Sequence, residues 1–401
     1  MQKRHKDLMR TMVTELRHIL VGTAAPDGAI IPLDAMANPA PNEQQAHRMA
    51  VAQLVYCDEP KRASMRMDIV ERATYSWINR LLALRAMEAR GLIEETLRTN
   101  PEYDGLPEAL YILRQSDPSR TSGAEGGRWA VLEDACQAQT RSLPGLFSLD
   151  DPATALRPSI PALIRSMTLV GGTLLGFTLA ESDAAFADPD AIGWAYQFYQ
   201  EEAKARIGAK CKDGGKVSSR AEIAAKTELF TEPYMVKWLL QNSLGRSYQE
   251  IYPNSALPAS WEYYIKPDTF DTSTTFNLAG LTVLDPCMGS GHFLREAFDM
   301  FVTIYREQFP TFTASEIADR ILSHHLNGID LDPRAAQLSA LTLYLRAWEL
   351  VRDERRKERK PGPGTYIPPA MNLATTPTSL NEGALQRHLI RHPQDMPLKL
   401  C

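Results

Sequence analysis

No charge of one sign dominates this chain. Its 401 residues carry a formal net charge of −5, so no global basic field advertises a nucleic-acid partner. Contact with a polyanion falls to local patches or to protein outside the chain. Cysteine is scarce and scattered: Cys57, Cys136, Cys211, Cys287 and Cys401 form no Cys-x-x-Cys pair and have no histidine at zinc-ligand spacing. That argues against a disulfide framework and against a metal site, and it fits reduced thiols in a cytoplasmic protein. A long hydrophobic run is also missing. The most apolar stretch, 167–180, is too short to span a bilayer and is broken by Gly and Thr. The charged N-terminus leads into an amphipathic pattern rather than a signal peptide. The expectation is a soluble, cytoplasmic chain without a membrane segment, long enough for two or three domains.

What the chain does contain is organised around Leu281-Thr-Val-Leu-Asp285-Pro286-Cys-Met-Gly289-Ser290-Gly291-His-Phe293-Leu294. A short apolar run ends in Asp-Pro, a Gly-Ser-Gly turn follows, and an apolar-periodic segment runs from Phe293 to Tyr305. This predicts a buried strand, a tight turn and a helix, the βα unit of a nucleotide-binding α/β fold. The glycines allow the backbone to pass close under a ligand. Asp285, at the strand's carboxyl end, suits a ligand with an ammonium or hydroxyls. Two related motifs are absent. A dinucleotide fingerprint needs a third glycine where Leu294 stands, and a P-loop needs a Lys that neither glycine has after it.

A second unit follows at Leu326-Asn-Gly328-Ile329-Asp330-Leu331-Asp332-Pro333. Its strand also ends in an acid, and Asp332-Pro333 opens a long helix to about Glu354. In folds of this type an acid closing the second strand accepts the ribose hydroxyls, which selects Asp330, with Leu331 covering the base and Asp332 as the helix cap. Upstream, Thr231-Glu232-Pro233 reads as the start of a helix that Gly245 stops, with Thr231 as N-cap. The free N–H groups of such a helix start suit a carboxylate.

The rest divides by pattern into an N-terminal helix and loop (1–45), a mainly α-helical domain (46–225), a cofactor-binding part (226–360) and a Pro-rich irregular tail (361–401). The stripe Tyr75, Trp77, Asn79, Leu81, Leu84 and Glu88 reads as a core helix. The cluster Trp194, Tyr196, Phe198 and Tyr199 reads as a packed helix rather than a base-stacking surface. The run Arg355-Arg-Lys-Glu-Arg-Lys360 reads as a solvated helix end, although such a run also suits phosphates.

Asp-Pro-x-x-Gly-Ser-Gly-x-Phe-Leu resembles the S-adenosylmethionine motif of amino-methylating DNA methyltransferases. The order of the 230–245, 281–294 and 328–333 segments is similar to that of the γ-type adenine-N6 enzymes. Tyr75 to Glu88, Ile192 to Tyr199, Tyr234 to Gly245 and Trp261 to Tyr264 further resemble the large methyltransferase of the BREX phage-defence systems, itself related to type IIG restriction enzymes. The resemblance covers roughly residues 70–350. It departs at Glu232, which separates Thr231 from the Pro that directly follows in many relatives. It implies a mostly helical N-terminal region followed by the start of a Rossmann-like class I methyltransferase domain. S-adenosyl-L-methionine would be the cofactor, held by Thr231, Asp285, Pro286, Gly289, Gly291, Phe293, Asp330 and Leu331.

These enzymes grip a flipped adenine with an Asn/Asp-Pro-Pro-Tyr/Phe loop, and no such tetrapeptide follows Asp330. Pro368-Pro369 is preceded by Ile367, and Asn100-Pro101-Glu102-Tyr103 lacks the second Pro. No catalytic residue is therefore assigned. The expectation is the cofactor-binding, N-terminal part of an enzyme that acts on double-stranded DNA together with a C-terminal half or other defence-system proteins. The competing reading is a non-catalytic interaction module derived from such an enzyme.

Overall fold

The computed structural model describes residues 2–23, 59–148, 157–172, 176–217, 220–227, 230–269 and 277–375. The chain forms two compact units, Met1–Glu202 with Val351–Ile367, and Ala203–Leu350 with Pro368–Cys401. No described helix is long and apolar enough to cross a membrane.

The first unit is helical. Helix α1 (Gln2–Thr23) places Leu8, Met12, Leu16 and Leu20 on one buried face, at the three-to-four residue spacing that makes a helix amphipathic. It packs against α2 (Glu59–Ala89), α5 (Ile160–Gly171), α6 (Leu179–Ala187) and α7 (Ala191–Tyr199). Helices α3 (Glu108–Ser116) and α4 (Arg128–Thr140) stand between α2 and α5 in the chain. The aromatic cluster of α7 is interior, and Tyr199 meets the ring of Tyr75 edge-on at 4.8 Å. In α2 the expected core stripe, Glu88 included, is buried, but so are Arg80 and Arg85. The loop expected at 24–45 and the helical start expected at 44–58 lie outside the described residues.

The second unit is α/β. Among the described residues four α-helices precede its sheet: α8 (Glu201–Lys212), α9 (Arg220–Thr227), α10 (Pro233–Asn242) and α11 (Leu244–Ile251). Strands β1 (Val283–Asp285), β2 (Leu326–Asp330) and β3 (Asn372–Thr375) form a parallel sheet in the order β1-β2-β3. Parallel neighbours need crossover connections. Here α12 (His292–Gln308) and α13 (Ala314–Arg320) link β1 to β2, and α14 (Pro333–Lys357) follows β2. The register sets Asp285 opposite Gly328 and Asp330 opposite Thr375. Leu294, Ala297, Phe298, Phe301 and Ile304 form the buried face of α12.

A buried histidine locks this layer. His325 donates from Nδ1 to the Leu281 carbonyl at 2.6 Å, and its Nε2 lies 2.7 Å from the Tyr305 hydroxyl. Burial lowers its pKa, so the neutral ring ties the approach to β1, helix α12 and the start of β2 together.

Three expectations are corrected. The tail is not wholly irregular, because β3 lies within it. Its Asn-Leu-Ala-Thr sequence has no apolar alternation and is held by backbone pairing to β2; the remainder of the tail, 376–401, lies outside the described residues. Gly245 does not stop α10, which ends at Asn242. It sits inside α11, where a Cβ would come within 2.6 Å of the Trp261 indole. The N-cap of α10 is Glu232, not Thr231, and it makes no side-chain capping bond. The residue inserted before Pro233 moves the cap by one position, since Pro takes the first helical site.

Candidate cofactor site

The site lies at the carboxyl ends of β1 and β2, where ligands of open parallel α/β sheets bind. The backbone leaves β1 at Asp285 and turns sharply. Asp285 accepts the Cys287 N–H on Oδ1 at 3.0 Å, an acid capping its own turn. Met288 donates its N–H to the Ile329 carbonyl of β2 at 3.1 Å, and Gly291 closes the turn onto the Met288 carbonyl at 2.8 Å. Helix α12 starts directly after it.

The two glycines serve different needs. Both have positive φ, 53° at Gly289 and 83° at Gly291, where a side chain is strained. A Cβ on Gly289 would meet no protein atom within 4 Å, whereas one on Gly291 would press on Ser339 Cα and Oγ at 3.0 Å. The close approach at Gly291 is therefore to helix α14 and not to a ligand.

Asp330 joins the two strands' turns. Its Oδ2 accepts the Gly289 N–H at 2.8 Å and its Oδ1 accepts the Asp332 N–H, also at 2.8 Å. Asp332 is buried and caps α14 through the Arg334 N–H at 2.9 Å, with the Arg334 guanidinium folded back onto it. Asp285 and Asp330 are near enough to feel each other. Burial raises the Asp285 pKa, the Cys287 N–H opposes this, and the Asp330 charge adds to it. Burial and the same two carboxylates also raise the Cys287 pKa, so this exposed thiol is held as the unreactive thiol form. Two carboxylates at adjoining strand ends call for a cationic or hydroxyl-bearing ligand.

Two residues missed in the sequence hold the turn from behind. Ser339 donates its hydroxyl to the Gly289 carbonyl at 2.9 Å, and Thr342, one helical turn on, donates to the Ser290 carbonyl at 2.9 Å. A Ser and a Thr three apart in the largely apolar 335–345 stretch of that helix were the available signal. The segment before α10 reaches the turn through Phe230, whose ring packs on His292 at 4.6 Å. Thr231, half-buried, follows it. Pro286 is exposed, while Phe293 and Leu331 are half-buried beside the turn and after β2. Gly289 thus bonds Asp330 directly, Asp285 lies within electrostatic reach of Asp330, Gly291 closes the same turn, and Thr231 is linked to it only through its neighbour. Among the described residues no group of three His, Cys, Asp or Glu is arranged to hold a metal ion.

No family model matches the chain. It is 32% identical over 315 residues to the adenine-specific methyltransferase BrxX of Escherichia coli O9:H4 (strain HS), covering 72% of this chain and 25% of that protein. It is 28% identical over 347 residues to the adenine-specific methyltransferase PglX of Lacticaseibacillus casei (strain Zhang), covering 76% of this chain and 28% of the relative. The chain therefore spans about a quarter of the length of the curated relatives it matches.

Proposed function

We propose, for a chain homologous to the adenine-specific methyltransferases of BREX systems, that this second unit is the S-adenosyl-L-methionine-binding part of an adenine-N6 DNA methyltransferase. Its role is host DNA modification and phage defence. The observation that carries the reading is the bond from the Gly289 N–H to Asp330, which joins a glycine turn and two strand-end acids in the order the family motif requires. The residues fit the cofactor. Asp285 accepts from its ammonium group, Asp330 has oxygen lone pairs left for the ribose hydroxyls, and Leu331 and Phe293 supply apolar cover. Gly289 and Gly291 shape the turn beneath it, Pro286 stiffens the strand exit, and Thr231 at the start of α10 serves the carboxylate. The bound cofactor supplies the methyl group; this chain's residues seat it.

The base-gripping loop and the remaining strands belong, in this reading, to a C-terminal half. Two features support that partner. Among the described residues strand β1 is an edge strand, and only Asp285 at its end carries a charge of the kind that protects natural edges. Helix α10 exposes Tyr234, Met235, Trp238 and Leu239 by 44 to 51% along one stripe. A parallel sheet is normally covered on both faces.

The test is calorimetric titration of the 401-residue chain with S-adenosyl-L-methionine. Asp285→Ala and Asp330→Ala each weaken binding tenfold or more, about 1.4 kcal/mol. Affinity also declines on acidification, as the raised Asp285 carboxyl takes up its proton, and Asp285→Asn removes that dependence. A folded sample that binds no cofactor overturns the reading and leaves the non-catalytic module.

A further inference from the structure

The first unit ends α14 in a way that helix stability alone does not explain. Arg356, Lys357, Arg359 and Lys360 are all exposed. The helix closes by bonds from the Arg359 N–H to the Arg356 carbonyl (3.1 Å) and from the Lys360 N–H to the Arg355 carbonyl (2.9 Å). This is the Schellman closure, whose pivot residue is left-handed and usually glycine. Here the pivot is Arg359, at φ 56°. Among the described residues only Asp104 is another non-glycine with positive φ. Glycines stand just beyond, at 362 and 364, so a conformationally relaxed pivot was three residues away.

The loop after the pivot is tied down. Arg355 donates to the Pro361 carbonyl at 2.9 Å, and its side chain lies where a Cβ on Gly364 would stand. One acid intervenes, Glu358, and it is engaged by Lys360 at 2.8 Å. Arg352, by contrast, is occupied with Asp353 and the Arg90 carbonyl. Cations in the last turn of a helix favour its dipole, which accounts for Arg356 and Lys357. It does not account for Arg359 and Lys360, which lie past the helix end. A strained backbone that persists at one arginine points to a use for that side chain.

We infer that this cationic helix end is a contact for the phosphate backbone of double-stranded DNA. The inference rests on the DNA-methylating reading above. In a chain of net charge −5, a local, fixed group of cations is what holds a polyanion without a global field. Such contacts position the duplex and carry no sequence preference.

The experiment measures binding of a short mixed-sequence duplex to the full 401-residue chain by fluorescence anisotropy, with salt raised from about 50 to about 200 mM. Replacing Arg356, Lys357, Arg359 and Lys360 together by Gln lowers the slope of log K against log salt by roughly one per lost contact and weakens binding on the order of tenfold or more. Arg359→Gly is the sharper variant: it weakens duplex binding while the melting temperature holds or rises, because glycine relieves the pivot. A control separates position from bulk charge. Arg356→Glu with Arg359→Glu abolishes binding, whereas Lys212→Glu with Lys216→Glu, an equal change at other exposed lysines, does not.

Equal losses from both pairs, or none from either, overturn the inference. So does capture by phosphatidylserine vesicles with the same variant dependence and no duplex binding, which would make this a lipid-surface contact. Cofactor titration of the same samples keeps the two proposals apart. A chain that binds S-adenosyl-L-methionine but not the duplex loses this inference alone.

Discussion

Helix α2 buries charges, whereas helix α10 exposes hydrophobic side chains. In α2 each buried ion among the described residues has a partner in another segment. Arg80 donates to the carbonyls of Leu146 and Ser148 at 2.9 and 2.7 Å. Arg85 reaches the Val170 carbonyl at 3.3 Å and the Asp183 carboxylate. Glu88 accepts the backbone N–H groups of Thr96, Leu97 and Arg98 at 2.7, 2.6 and 3.0 Å. Glu88 pairs the N–H groups of a loop, and the two arginines pair carbonyls at the ends of helices, where the helix supplies no donor. In α10, Val236 and Leu240 cover the inner face, but the outer stripe has no described partner of its own kind. The first arrangement is closed: Arg80, Arg85 and Glu88 are each met by groups of the same unit. The second is open, and its apolar surface is large for a free helix.

The closed region is the costlier one to break. Arg85→Ala leaves Glu88 without its cation and the Val170 carbonyl without the Arg85 donor, while Asp183 keeps only Arg98, and it destabilises the first unit by about 3–5 kcal/mol. A thermal melt drops by roughly 10 °C. Burial pushes the Glu88 carboxyl up to about 7, against the lowering effect of Arg85 and of the three N–H donors. With the folded pKa above the unfolded one, the contribution of Glu88 to stability is fully present below about pH 4.5 and is lost as pH rises to about 7. Glu88→Gln flattens that slope in urea titrations; an unchanged slope assigns it elsewhere.

The next effect in size lies within the open unit. Gly291→Ala and Gly289→Ala impose the same left-handed strain, about 1–2 kcal/mol. Only Gly291→Ala also drives a Cβ against Ser339, and it loses on the order of a further 1 kcal/mol by denaturant titration. Equal losses at the two glycines would show that α14 yields freely and that the turn is not held from behind.

The same contrast explains what was legible in the sequence. The βα units at 281–294 and 326–333 were, because apolar run, acid, turn residue and helical period all agree there, although β1 is not the buried strand expected, with Leu284 40% exposed. Strand β3 was not, since four residues without alternation carry no periodic signal and their pairing to β2 is a backbone matter. The buried arginines of α2 were hidden for another reason. A helix buried on all sides has no polar face, and an arginine that bonds distant carbonyls looks in sequence like one that meets water. Ser339 and Thr342 were hidden in the same way. The Thr231 cap was misplaced by one residue, because composition marks a helix start more reliably than its first bond.

The smallest effect on stability belongs to the exposed stripe, and it is the one that tests openness itself. Trp238 and Leu239 are 46% and 45% exposed, so Trp238→Glu with Leu239→Lys removes little burial and changes the unfolding free energy by no more than about 0.5 kcal/mol. Its effect on association is far larger. The unsubstituted chain alone is expected to self-associate through this stripe and the bare β1 edge, and sedimentation velocity should show the double variant shifting toward monomer at matched concentration. The two outcomes must occur together. A large loss of stability would mean that the stripe is packed after all. A wild-type chain that is already a monodisperse, cooperatively melting monomer would mean that α10 needs no cover, and the support it lends to a C-terminal half would go with it.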